Sequence, residues 1–239
     1  MARKLSFRAY PILCRERFTK FSRYHHGGVI LTVYHNSIER VKELNTMTKA
    51  YQSQNIFFAF GVLCTLTVYD GNRVHALSKA KACAQEIDRK NCFADAVAIG
   101  YAAQQIKKIF IREGVTEAVI RLGDTVINMG KTRRHGIRNP FSKDPRYFAY
   151  LDLGEKSMVT LIASEMEETA FTLRSNLASL TLIGSNTVQL SELCAAVIGY
   201  SSDDAFALLD RTDMEAILVT KDEQVLTTQG LSRKQQIAA

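Results

Sequence analysis

The chain has 239 residues, 46% of them hydrophobic, with only three prolines, which gives ample material for a core and argues against a linker-rich or disordered protein. Its five cysteines, Cys14, Cys64, Cys83, Cys92 and Cys194, are odd in number and lack CxxC spacing, which excludes a disulfide framework and points to reduced thiols in a cytoplasmic protein. The net charge of +7 is confined to residues 1–57, with ten Lys or Arg against three Glu, while residues 58–239 carry 21 of each sign, so polyanion binding would belong to an arm and not to the folded body.

Residues 1–26 interleave Arg3, Lys4, Arg8, Arg15, Arg17, Lys20 and Arg23 with Phe7, Tyr10, Phe18, Phe21 and Tyr24. That mixture suits single-stranded nucleic acid or an anionic membrane surface, but reads more readily as a solvated or loosely packed terminal arm; nucleic acid is not expected as a partner. No apolar run approaches the roughly 18 residues of a membrane span, and no uninterrupted apolar region follows the basic start, so neither a span nor a secretory signal is expected. His25-His26 has no carboxylate or cysteine at ligand spacing, and Gly27-Gly28 reads as a turn. Residues 29–34 read as a strand, and Ser37 is placed to cap a weak helix over 38–52 with Ile38, Val41 and Leu44 on one side.

From residue 56 the pattern changes. Residues 57–69 form a long apolar, aromatic and β-branched run that reads as one strand, closed by Asp70-Gly71-Asn72. A helix over 74–87 follows with Leu77, Ala80, Ala84 and Ile87 inward, then a charged connection over 88–91. Residues 94–140 read as helix, strand, tight turn, strand and loop, and form the organising unit of the chain. Ile99, Ala102, Ala103, Ile106 and Phe110 share one helix face, Gly114 ends the helix, and Gly123-Asp124 joins strands over 116–122 and 125–129. The small residues Ala96, Ala98, Gly100, Ala102 and Ala103 would let another backbone or a flat ligand come close.

Strands are expected over 148–153, 157–163 and 177–183. Between the last two, Glu165, Glu167 and Glu168 read as an acidic loop more readily than as a cation site. Gly184-Ser185-Asn186 reads as a turn into a helix over 188–198. Ser201 with Asp204 resembles a capping box for a helix to Leu209, and 214–219 with 224–228 a terminal hairpin. There is no internal repeat of short period. The division expected is a basic extension over 1–56, a body over 57–230 and a polar tail over 231–239. The fold class is α/β, more closely an α+β arrangement of a mixed sheet with packed helices.

Three of these stretches together resemble the FAD:protein FMN transferase family, the ApbE-like flavin transferases. FFAFGVLCTLTVYD with the helix after it is similar to the family's opening strand, its A-M-G-T type turn and its first helix. AVAIGYAAQ through GVTEAVIRLGDTVINMGK to GIRNP is similar to the G-G-I-A-K-G-Y-A-A-D helix, the glycine-rich hairpin and the G-I-x-[DN]-P strand. LASLTLIGSNTVQLSELCAAVIGY with DAFALLDRTDMEAILVTKDEQVLTTQGL is similar to the closing part, in which an A-D-A-L-S-T-A helix lies between two strands.

The resemblance implies an ApbE-like flavin-transferase fold and a reaction that moves FMN from FAD to a Thr or Ser of an acceptor flavoprotein, with Mg2+. It places FAD contacts at Phe60, Gly61, Ile99, Gly100 and Asp124, and metal ligation at the Ala96 carbonyl, Glu192 and the position of Ala196. This chain departs from the family's pattern at those sites. Ile99 stands for a lysine, Gln104 for an aspartate, Asp124 for a glycine, Glu192 for an aspartate and Ala196 for a threonine. Between Asp88 and Ala94 almost nothing remains of an insertion that usually contacts FAD. The alternative implied is a catalytically inactive flavin-binding or interaction module of the same fold. Ile99, Ala102 and Ile106 also suit a plain core, and Glu192 a surface carboxylate.

Overall fold

The computed structural model describes residues 23–26, 29–32, 52–90, 95–143, 146–166, 175–228 and 231. The arm up to residue 22, the helix expected over 38–52 except Gln52, Glu167, Glu168, Cys14, Cys92, Ala94 and the tail from 232 lie outside the described residues. The chain divides into a unit of residues 8–50 and a unit holding the rest. In the smaller unit β1 (Arg23–His26) and β2 (Val29–Thr32) pair antiparallel, with His26 opposite Val29.

The first described strand of the larger unit, β3 (Ser53–Ala59), begins four residues before residue 57, and β4 (Val62–Val68), α1 (Val74–Arg89), α2 (Asp95–Arg112), β5 (Ala118–Leu122) and β6 (Thr125–Met129) follow. A ribbon of β7 (Arg133–Arg138) and β8 (Tyr147–Leu153) follows. Then come β9 (Ser157–Ile162), β10 (Leu177–Gly184), α3 (Thr187–Val197), α4 (Ser202–Leu209), β11 (Glu215–Thr220) and β12 (Val225–Thr227). Eight strands form one sheet in the order β12-β11-β10-β9-β6-β5-β4-β3, every pair antiparallel. Each half of the sheet therefore has the same order of strand, strand, helix, helix, strand, strand, and the halves meet where β6 pairs with β9.

Burial follows from the period of each element. In β4 Cys64, Leu66 and Val68 are buried toward the helices, and in α2 Ala98, Ala102, Ala103, Ile106 and Phe110 fill the same core. A second helical-side core joins Leu180 and Leu182 of β10 to Leu190, Cys194 and Val197 of α3 and Ala216 and Leu218 of β11. The ribbon brings Ile137 and Leu153 into a third cluster with Val119, Val126, Met158, Ile183 and Ile217 on the opposite face. The result is helices, sheet and ribbon in three layers, so β10 is buried along nearly its whole length.

Four local expectations change. Residues 57–69 are a hairpin and not one strand, because Phe60 (φ 54°) and Gly61 (φ 70°) both turn through the left-handed region. The loop read before Pro140 is the strand β7, as the family's G-I-x-[DN]-P segment implied. Its buried residues His135 and Ile137 alternate with Arg134, Gly136 and Arg138, which obscures the apolar signal. Helix α1 runs on to Arg89 through the supposed connection. Asn186 is not only a turn residue: its side chain accepts from the Val188 amide and caps α3. The Ser201 cap is as expected, its hydroxyl accepting from the Asp204 amide.

Candidate functional site

Two tight turns lie side by side at one end of the sheet. Phe60-Gly61 closes β3–β4 and Gly123-Asp124 closes β5–β6. The Gly123 amide donates to the Leu63 carbonyl over 3.1 Å, and a Cβ on Gly123 would stand 3.2 Å from Val62. Phe60 is only 8% exposed and belongs to the core cluster against which Ile99 packs. Holding a phenylalanine in the left-handed region costs about 1–2 kcal/mol, and burial of its ring offsets that cost. Beside it Gly61 is exposed, with nothing within 4 Å of where a Cβ would stand. Under the turn, burial pushes the Cys64 thiol up to about 11, so it is an inert part of the core.

Asp124 extends this end of the sheet. Its carbonyl accepts from the Thr160 amide at 3.3 Å, and its carboxylate meets Arg138 at 2.7 Å. Arg138 also bonds the Glu165 carboxylate. Burial pushes the Asp124 carboxyl above its ordinary value, with the Arg138 charge acting against it. Next to this triad, Nδ1 of buried His135 lies 3.4 Å from an Arg121 guanidinium nitrogen, and Nε2 of His135 has no partner among the described residues.

The remaining positions lie on α2 and α3. Helix α2 runs through Gly114 almost directly into β5, so its N-terminal half returns to the end of the sheet that holds the two turns. Gly100 is the point of closest approach to α3. A Cβ there would stand 2.0 Å from Ser191 Oγ and 2.7 Å from the Thr187 carbonyl. The Thr187 hydroxyl lies 2.8 Å from the Gly100 carbonyl and 3.1 Å from Gln104 Oε1. The space beside Gly100 is therefore filled by another helix. Gln104, standing where the family has a carboxylate, is a partner of Thr187.

The structure thus brings Phe60, Gly61 and Asp124 together at adjoining turns, and ties Phe60 to Ile99 through one core cluster. Ala96 is half-buried near the start of α2, while Glu192 and Ala196 are both exposed, one turn apart on α3. That donor set does not fit Mg2+, which demands a near-octahedral shell of oxygens. Glu192 supplies one carboxylate, Ala196 has no side-chain oxygen, and no group of three or more His, Cys, Asp or Glu residues converges among the described residues. Sequence reasoning passed over Thr187, Ser191 and Arg138. Arg138 was within reach as the variable residue of the GIRNP motif, but Thr187 and Ser191 carry no pattern apart from the packing of α3.

No protein-family model matches the chain, and no curated protein matches it. Among solved structures it is similar to the flavin transferase ApbE from Vibrio cholerae, at 8% identity and a TM-score of 0.63, over 77% of this chain and 99% of that one. The flavinyl transferase ApbE of Pseudomonas stutzeri in its apo form is similar at 11% identity, TM-score 0.63, over 78% and 97%. The ApbE protein of Thermotoga maritima gives 10% identity, TM-score 0.64, over 76% and 98%. With such low identity the likeness speaks to architecture, and on that ground the chain has the ApbE-like fold of the flavin transferases.

Proposed function

We propose that this chain is a flavin-nucleotide-binding protein built on the transferase fold, which binds FAD without carrying out Mg2+-dependent FMN transfer. The observation that carries the reading is the contrast within one site. Two tight turns adjoin at one end of the sheet with open space at Gly61, while the α3 positions expected to hold a metal supply a single exposed carboxylate. Phe60, Gly61 and Asp124, with Ile99 behind Phe60, would frame the ligand. The open space at Gly61 leaves room for a flat ring, and Arg138 brings a guanidinium to the same end. Ile99 offers an apolar contact where a charged one is expected, which favours the ring system over the phosphates.

Glu192 favours a second reading, FMN transfer itself, because it keeps a carboxylate where the family places an acidic metal ligand. In that reaction the hydroxyl oxygen of a Thr or Ser on an acceptor flavoprotein attacks the FMN phosphorus of FAD. The pyrophosphate bond breaks, the hydroxyl proton is released, and AMP leaves. The unpaired thiols Cys64, Cys83 and Cys194 support a cytoplasmic setting for either reading, and among the described residues no helix is long and apolar enough to cross a membrane.

Titration of the full chain with FAD, followed by flavin fluorescence with and without Mg2+, separates these readings. Binding with the same affinity in both conditions, and no fluorescent band on a flavin-acceptor domain after denaturing electrophoresis, is the expected result. A covalently labelled acceptor would replace the first reading with the second. Absence of any FAD binding would remove both.

A further inference from the structure

Strand β3 ends the eight-stranded sheet, and among the described residues no strand pairs with its outer side. The Leu63 carbonyl accepts from Gly123, so Leu63, Thr65 and Thr67 direct their main-chain groups toward β5. By alternation Cys64, Leu66 and Val68 direct theirs toward β3, where they meet Phe57, Asn55 and Ser53. The amides and carbonyls of Gln54, Ile56 and Phe58 consequently point out of the open edge. The side chains of Ile56 and Phe58 are also the exposed ones, at 57% and 74%, and they adjoin Leu63, exposed at 50% and opposite Phe58.

Edge strands are ordinarily protected by charge, proline, a bulge or shortness. At the other end of the sheet β12 is protected by shortness, with three residues. Strand β3 has none of these protections: its seven residues, Ser-Gln-Asn-Ile-Phe-Phe-Ala, are uncharged and proline-free, and they pair with β4 without a bulge. We propose that the occupant of this edge is a second copy of this chain, its β3 laid antiparallel across a two-fold axis at Ile56. This register sets Gln54 opposite Phe58 on both sides of the axis and satisfies the outward groups of all three residues. It places Ile56 beside its own copy and opposes no like charges along the strand. A pair of edge strands of this length buries on the order of 1,000 Å² in total, near the lower bound of specific interfaces, so the dimer is a reversible one whose population depends on concentration.

Sedimentation equilibrium of the full chain from about 1 µM to about 100 µM tests this, with hydrogen exchange measured over the same range. The dimer fraction should rise with concentration, and the amides of Gln54, Ile56 and Phe58 should become protected in step with it. Ile56→Lys, which sets two ammonium groups against each other at the axis, should weaken the dimer by at least about tenfold. Leu208→Lys on exposed α4 should leave it unchanged. A monomer at every concentration, or a dimer indifferent to Ile56→Lys, overturns the proposal. Protection of those three amides that does not vary with concentration also overturns it, because the edge is then covered from within one chain. The exchange measurement on the unaltered chain decides the matter even if a variant fails to fold.

Discussion

Acidification should loosen the fold through His135. Its ring is only 5% exposed, between the β7–β8 ribbon and the sheet. The cations facing it are Arg121 from β5 and Arg133 from its own strand, while Leu151 lies opposite on β8. Burial first, and then those two guanidinium charges, lower its pKa from an ordinary 6.5 to about 4. The folded chain therefore binds fewer protons than the unfolded chain below pH 6.5. Stability from this group is complete above that value, falls as the pH drops, and is fully lost only below about 4. Over that interval the loss approaches about 3 kcal/mol, of which about 2 kcal/mol falls between pH 7.5 and pH 5. Urea unfolding followed by far-UV circular dichroism at the two pH values should show that difference. His135→Gln, even if less stable at neutral pH, should lose about 2 kcal/mol less than the parent over the same window. The comparison with the variant matters because Asp124, with its carboxyl pushed up by burial, acts in the opposite direction. Parallel pH dependence in parent and variant would refute a neutral, buried His135.

Gly100→Ala should destabilise the chain by at least about 2 kcal/mol in urea unfolding, because the new methyl meets the Thr187 carbonyl 2.7 Å away as well as Ser191. Adding Ser191→Ala should recover only part of the loss, since the backbone clash remains. Asn128 is 1% exposed, and its amide nitrogen serves the Lys131, Leu153 and Gly154 carbonyls at 2.8, 3.0 and 2.9 Å. Asn128→Ala should cost about 2–3 kcal/mol, and Asn128→Asp, which turns a donor into an acceptor among carbonyls, should cost more. Equal losses for the two, measured by urea midpoints, would contradict that hydrogen-bond assignment.

The helices were legible because their burial is periodic, and the central strands because they are short, nearly continuous apolar runs bounded by turn residues. The stripe through Ile99, Ala102, Ile106 and Phe110 is a face of α2, and Gly114 ends that helix with φ 70°. The Phe60-Gly61 turn was harder to see, because phenylalanine is not a residue that announces a left-handed turn. The apolar run continues through it, and only the paired strands show that the ring is needed in the core. Strand β7 was obscured by its arginines, which pair with Glu117, Asp152, Asp124 and Glu165. The matching halves of the sheet were invisible for another reason. They share topology and not residue pattern, since β3–β4 ends at an open edge while β9–β10 is covered on both sides. The candidate metal positions depend on single side chains on an exposed helix face, where periodicity constrains nothing.

The seam between α2 and α3 separates what helix packing demands from what the exposed helix face leaves free. Gly100 has to remain small because Ser191 and the Thr187 backbone occupy the space next to it, whether or not a ligand lies nearby. Thr187 bridges the Gly100 carbonyl and Gln104 and holds the crossing in register without any charge. A glycine at position 100 is therefore explained by helix packing, without a ligand. Positions 192 and 196 are under no such constraint. Glu192 and Ala196 face outward, so exchange there costs the fold roughly 0.5 kcal/mol or less, whereas Ile99 packs against the core and its exchange costs more. Close packing at the seam and free choice of side chain at the exposed positions are thus compatible in one stable protein, and the strained feature of the unit lies at the turn end of the sheet, where Phe60 holds a left-handed conformation whose cost its buried ring offsets.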